Sequence, residues 1–381
     1  MSRLSKTLKI AGLSLIGVTA ILWGADKFEN KLPPELRGAE DLERATFDAI
    51  IKQIIADLEG ATRAQPGTVT RDAHAKSHGC LKATFEVEDE LPQNLKVGMF
   101  ANAGAEYKAW VRFSNGAFKP RHDIDFDGRG LALKILNTPP TTKASETGPV
   151  DQFDILLGNY PVFFSPNPVD YFDFVKAGVL IGKPDGLRKY FMPNLNPFSW
   201  RIRPFIDAYT NSSLEITTPL NMQYFSMSPY GFGDKQQIKY TAKACTVDQA
   251  DVVLNLDKSN PNYLRGNLKK HLDVAPACFA LSVQVNDGSV SVEDASADWS
   301  EDVMPFQEIG RIKIPKQDFA NAHSDDFCEH SDFNPARTPD EFQALGGLNR
   351  LRKEVYTAIS GYRHGRNERA VSDPHLAWDK E

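Results

Sequence analysis

Apolar and polar positions change texture three times along the chain. Between 26 and 66, Leu42, Phe47, Ile50, Ile51, Ile54 and Ile55 recur at helical spacing, and Gly60 and Pro66 punctuate the run. A helical lead-in over residues 26–67 follows. After Arg71 the segments shorten. LKATFEVEDEL, EYKAWVRFSN, GRGLALKILN and DQFDILLGN are rich in β-branched or aromatic residues and are broken by Gly, Asn and Asp. They read as successive strands of one antiparallel system. NPVDYFDFVKAGVLIG returns to helical spacing. NMQYFSMSPYGFG, QQIKYTAKAC and ACFALSVQVND supply further strands, and NRLRKEVYTAISGYRHGR is a late helix beginning near Leu348. The pattern predicts one α+β domain, a closed β core framed by helices at both ends. Residues 367–381 read as a polar tail.

Composition narrows the function classes. Acidic residues (50) outnumber basic ones (44), for a net charge of −6. That argues against general nucleic-acid binding, which needs a basic face. No GxGxxG run occurs, so nothing supports nicotinamide binding. At the N-terminus, Arg3, Lys6 and Lys9 precede an uncharged stretch from Ile10 to Ala25. Residues 1–25 therefore read as a signal peptide or an uncleaved membrane anchor. Either exports the folded domain or holds it facing outward, with membrane association through residues 10–25. Cys80, Cys245, Cys278 and Cys328 form no CxxC pair, so ribbon-type zinc and thioredoxin-like readings fail. Disulfide pairing stays open at this level.

Candidate chemistry begins at RDAHAKSHGC. His74 and His78 lie four residues apart, but no carboxylate base sits between them and no third metal ligand is near. A solvated turn is the ordinary reading of so polar a segment. In WVRFSN, Arg112 and Ser114 share one strand face. Asn159 follows an apolar strand and precedes Phe163 and Phe164. Arg352 and Tyr356 stand one turn apart on a helix, with Arg363 two turns further.

Taken together and in order, these pieces resemble the haem catalases. RDAHAKSHGCLKATFEV is similar to the distal-histidine segment, WVRFSN to the V-R-F-S strand, and DIDFDGRGLALKILN to the R-D-x-R-G-x-A-x-K segment. FDILLGNYPVFF resembles the G-N-N-x-P segment. SADWSEDVMPFQEIGRIKIPKQDF resembles the late strands and connector of the smaller catalase-like proteins, and RLRKEVYTAISGYR resembles the haem-ligand helix. The resemblance spans about Thr68 to Arg366, so residues 68–366 are expected to form a catalase-like haem domain: a closed antiparallel β-barrel with flanking helices and a C-terminal haem-ligand helix.

What the resemblance implies is specific. Haem b iron is ligated by Tyr356, and Arg352 is the neighbouring cation that favours a phenolate. Arg71, Arg112 and Arg363 hold the propionates. His74 is the distal acid/base, Asn159 orients the peroxide, and Ser114 holds the imidazole. Phe163, Phe164 and Tyr171 line the pocket; His78 has no counterpart and is expected at the surface or behind the site. The implied partners are a peroxide, an unidentified electron donor and further copies of the chain in a homo-oligomer. The sequence departs from the family at GNYP, and FFSPNP replaces F-F-I-R-D. Two other readings stay open. One is rearrangement or cleavage of fatty-acid hydroperoxides, the branch in which a Thr precedes the distal His; here that residue is Ala73. The other is a non-catalytic haem-binding protein.

Overall fold

The computed structural model describes residues 40–379 apart from 65–66, 72, 140–150, 181, 246–251 and 253. The apolar stretch 10–25 lies outside them, and among the described residues no helix is long and apolar enough to cross a membrane. Among the described residues eight α-helices appear in chain order: α1 (Glu40–Ala64), α2 (Pro168–Lys176), α3 (Gly186–Phe191), α4 (Ile202–Ser212), α5 (Tyr263–Leu272), α6 (Ala322–His330), α7 (Gly347–Arg366) and α8 (Pro374–Asp379).

Among the described residues nine strands form one antiparallel sheet: β1 (Ser77–Val87), β2 (Glu106–Asn115), β3 (Arg129–Leu136), β4 (Gln152–Gly158), β5 (Gln223–Phe225), β6 (Tyr230–Phe232), β7 (Gln236–Ala244), β8 (Ala277–Val285) and β9 (Phe306–Ile314). Their order is β5-β4-β3-β2-β1-β9-β8-β7-β6, and β5 also pairs with β7. That extra pairing closes eight strands into a barrel and leaves β6 as a hairpin arm on β7. Closure removes the exposed edges an open sheet would carry.

Alternation decides what fills the barrel. Leu81, Ala83 and Phe85 of β1, Val111 and Phe113 of β2, Leu131, Leu133 and Ile135 of β3 and Phe153, Ile155 and Leu157 of β4 all join one buried core. The residues between them face outward. On this outer wall lie Arg112 and Ser114, and also Lys134, which stands opposite Asp154 in the β3–β4 register. A second core packs over the wall: Phe47, Ile50, Ile54 and Leu58 of α1 meet Leu348, Leu351, Val355 and Ile359 of α7. The candidate site lies between the filled barrel and this helical layer.

One expectation is corrected. Of the residues expected as a polar tail, 374–379 form α8, which docks on β2. Trp110 Nε1 donates to Pro374 O, Trp378 Nε1 donates to Ala109 O, and Ala377 is buried beside Trp110. For His78, expected at the surface or behind the site, the structure decides against the surface: it is buried, with Nε2 on Asn115 Oδ1 at 2.8 Å. All four cysteines are paired. Cys80–Cys328 ties β1 to α6, and Cys245–Cys278 ties the end of β7 to β8.

Candidate active site

His74 sits in the loop before β1, not on a helix, so His74 and His78 do not form an i, i+4 helical pair. Its φ is 58°, a left-handed conformation that a non-glycine residue adopts at some cost. The surroundings hold it there. His74 N donates to Gly116 O at 3.1 Å, Arg112 donates to His74 O at 2.8 Å, and His74 Nδ1 is 3.0 Å from Ser114 Oγ. The ring lies on bare backbone: a Cβ on Gly130 would sit 2.6 Å from His74 Cε1 and 2.7 Å from Nδ1. A glycine inside a strand marks such a close approach. With Nδ1 engaged by Ser114, Nε2 is the ring nitrogen left for other chemistry.

The ring is held neutral. Burial first, then the charges of Arg112, Arg352 and Arg71, pull its pKa down to about 4. His74, in the loop before β1, thus lies within electrostatic reach of Arg112 on β2 and Arg352 on α7. Replacing Gly130 by alanine is expected to push the imidazole off Ser114. Turnover should fall by about tenfold or more, while the thermal midpoint, measured beside it, moves little.

α7 carries Tyr356, with the Arg352 guanidinium carbon 5.7 Å from its ring centre. Arg352 is fixed by Ser228 Oγ at 2.9 Å and Asn349 Oδ1 at 3.0 Å. Asn349 is itself buried and donates to Pro229 O and Leu345 O. Burial works against the charge on Arg352, but Tyr356 and Tyr230 beside it outweigh that, and its pKa is raised.

The other three predicted arginines converge from the loop before β1, from β2 and from α7. Arg71 donates to Cys328 O, to Ser331 O and to Glu329 Oε2 at 3.4 Å. Arg363 donates to Glu329 O and stands 3.2 Å from Glu329 Oε1. Burial lowers the pKa of both; Arg112 and Arg363 add to the lowering at Arg71. Burial, offset in part by Glu329, brings Arg112 to about 10, and its Nε is buried without a hydrogen-bond partner. Glu329 is the carboxylate in contact, and Asp332, itself paired with Arg337, acts on Arg71 and Arg363 from further off; the two do not match these guanidinium charges in full, so the cluster keeps unmatched positive charge.

The remaining wall is polar on one side and aromatic on the other. Asn159 Oδ1 accepts from Arg129 N at 2.6 Å and its Nδ2 donates to Asn211 O at 2.8 Å, which fixes the amide and leaves one N–H over. Tyr160, where the sequence departs from the family, anchors α4 by donating to Asp207 Oδ1 at 2.9 Å. Phe164 packs on Phe163 and Phe174 at 4.7 Å between ring centres, with Tyr171 at 6.4 Å.

Sequence reasoning missed Glu329, Gly130, Asn211 and the Ser228–Asn349 cradle. Gly130 carried a signal, a glycine inside a strand. Glu329 carried none, because AHSDDFCEH has no apolar period.

Comparison with known proteins follows this geometry. The sequence model of the catalase family matches residues 64–183. Over 106 residues the chain is 32% identical to a catalase of an Onchocerca volvulus endobacterium and 30% identical to catalase A of Pseudomonas putida. Each match covers 28% of this chain and 20% of the relative. Among solved structures, a fungal catalase aligns with TM-score 0.62 at 20% identity, over 81% of this chain and 62% of the other. Catalase A from Saccharomyces cerevisiae aligns with TM-score 0.60 at 21% identity, over 80% and 63%. The chain thus aligns with about a fifth of the length of these curated relatives and somewhat under two thirds of these solved structures.

Proposed function

We propose that this chain is a member of the catalase superfamily and a haem enzyme that consumes hydrogen peroxide or an organic hydroperoxide; the family-model match over residues 64–183 and the catalase-like fold support the reading. Two local arrangements support the reading. A neutral imidazole is pinned by Ser114 over Gly130, and α7 carries a tyrosine beside a fixed cation that acts electrostatically on that imidazole.

The residues present fit haem b. Tyr356 is an oxygen donor of the kind haem iron accepts. Arg71, Arg112 and Arg363 carry unmatched positive charge suited to two propionate carboxylates, and Arg112 Nε still has a hydrogen to give. Phe164 and Tyr171 offer apolar faces to a macrocycle. Bound there, haem supplies the redox chemistry of peroxide O–O cleavage.

The chain's own residues handle the protons. Neutral His74 takes the proton from the inner peroxide oxygen at Nε2 and returns it to the outer oxygen, which leaves as water or alcohol. Ser114, on Nδ1, keeps the ring turned for that transfer. Asn159, held at both ends of its amide, aims its remaining N–H at the peroxide. A protein that only stored haem would have no need of this acid/base arrangement. Ala73 brings no hydroxyl to the imidazole, which favours peroxidase or catalase turnover over hydroperoxide rearrangement.

The acid limb of activity tests the imidazole. His74 must be neutral to accept the proton, and its pKa is held at about 4. Activity per bound haem is expected to stay level through neutral pH and to fall only as pH drops through about 4. A limb near the ordinary histidine value of about 6.5 would contradict the assignment. Product analysis with an organic hydroperoxide tests the reaction class: the alcohol, formed at the expense of an added reductant, is expected. A rearranged product formed without a donor would overturn it.

A further inference from the structure

We propose that the surface built by the α3–α4 loop and the outer face of α4 docks on an anionic lipid bilayer. At the loop tip Leu195 is 97% exposed and Phe198 85% exposed, with Leu187 and Met192 also exposed beside them. Soluble surfaces rarely gather large apolar side chains in this way unless something covers them. The tip is a built structure. Arg201 N donates to Phe191 O at 2.8 Å and closes the loop, Trp200 Nε1 donates to Asn194 O at 2.8 Å, and Ser199 Oγ donates to Asn194 Oδ1 at 2.8 Å. The backbone holds these side chains outward.

The apolar surface continues onto α4. Phe191 meets Phe205 at 5.3 Å between ring centres, Phe205 meets Tyr209 at 6.2 Å, and Tyr209 meets Phe126 at 5.4 Å. Phe205, Ile206 and Tyr209 are exposed, while Pro204 and Asp207 of the same helix are buried. The helix is therefore two-faced in an unusual sense, with an apolar face toward solvent.

Charge selects the occupant. Residues 168–214 carry six Lys and Arg against four Asp, a net charge of +2 on a chain whose net charge is −6. Arg188 and Lys189 stand exposed on α3 and share one carboxylate, that of Asp185, at 3.7 and 2.9 Å, which leaves this pair with a net positive charge. Apolar side chains flanked by basic ones are the signature of an element that lies in the headgroup region of an anionic bilayer. A second copy bound patch to patch would set like charges against each other. The proposal stands whether or not the pocket takes haem. It has a consequence for the site all the same, because α4 also carries Asn211, the partner of Asn159. Lipid contact and one wall of the site thus share one helix.

Amide hydrogen exchange on the full chain tests this, with phosphatidylglycerol-containing vesicles, with phosphatidylcholine vesicles and with none. It reads contact at the segment itself, whatever else tethers the protein. Amides of residues 187–209 are expected to exchange about tenfold more slowly on the anionic vesicles. Leu187→Glu with Leu195→Asp should abolish that protection. Both side chains point to solvent, so an unchanged thermal midpoint will show that the fold is kept. Unprotected amides in vesicle-bound protein would overturn the proposal, and so would protection that survives the double substitution. Protection that grows with protein concentration and needs no lipid would assign the surface to a second copy and overturn it equally.

Discussion

His74→Ala is expected to lower peroxide turnover by about a hundredfold to ten-thousandfold and to leave haem binding in place. The imidazole lies over Gly130 with one nitrogen engaged by Ser114, and burial with three nearby arginines favours its neutral form. Haem binding draws on other residues, Tyr356 and the Arg71, Arg112 and Arg363 cluster, and alanine disturbs none of them. Alanine also relieves little, since the backbone at 74 stays anchored to Gly116 and Arg112. The check is peroxide consumption per bound haem, with the visible spectrum recorded on the same sample. Activity within a few-fold of the wild type would remove His74 from the mechanism. Loss of both haem and activity would make it a structural residue.

Asp154→Ala is expected to destabilise the fold by about 3–5 kcal/mol. Asp154 is fully buried, and each of its carboxylate oxygens is in use. Oδ1 accepts from Lys134 at 2.7 Å, and Oδ2 accepts from Asn334 N at 2.9 Å and from Arg337 at 2.8 Å. Burial lowers the pKa of Lys134 in spite of Asp154, while Asp154 and Asp332 outweigh burial at Arg337 and raise it. Removing the carboxylate leaves buried cations with part of their charge unanswered. Arg337 retains Asp332, so Lys134 loses most. The effect reaches the site, because Asn334 Nδ2 donates to Thr357 Oγ1, next to Tyr356 on α7. Chemical denaturation of Asp154→Ala beside Asp154→Asn checks this. The amide keeps the shape and some hydrogen bonds, so its loss should be smaller. Equal, small losses would show that the network contributes little.

Much of the fold was legible because the barrel wall obeys a two-residue period. The segment predicted at EYKAWVRFSN is β2 residue for residue, and those at β3 and β4 differ by a residue or so at each end. That period also put Arg112 and Ser114 on one face, where both reach His74. α7 was visible for the same kind of reason, with Leu348, Leu351, Val355 and Ile359 spaced for one buried stripe. Among the helices that were missed, α5 does bury a stripe of Tyr263, Leu264, Leu268 and Leu272, whereas α6 and α8 are short and lack one. α6 buries only the adjacent Phe327 and Cys328, and α8 buries Pro374 and Ala377. What α6 does depends on tertiary contacts: its Cys328 bonds to β1 and its Glu329 meets two arginines from distant parts of the chain. No local pattern encodes that meeting. For His78 the sequence left the surface and a place behind the site both open, because a polar run looks solvated; the strand that starts at Ser77 brings it onto buried Asn115.

The central claim is that Tyr356 and the facing wall with His74 enclose haem. The measurement is the absorption spectrum of the full chain produced with ample haem, with Tyr356→Phe beside it. A Soret band with ferric tyrosinate features, lost or displaced in Tyr356→Phe, is the predicted result. No Soret band under haem-replete conditions, or a band indifferent to the substitution, would contradict it.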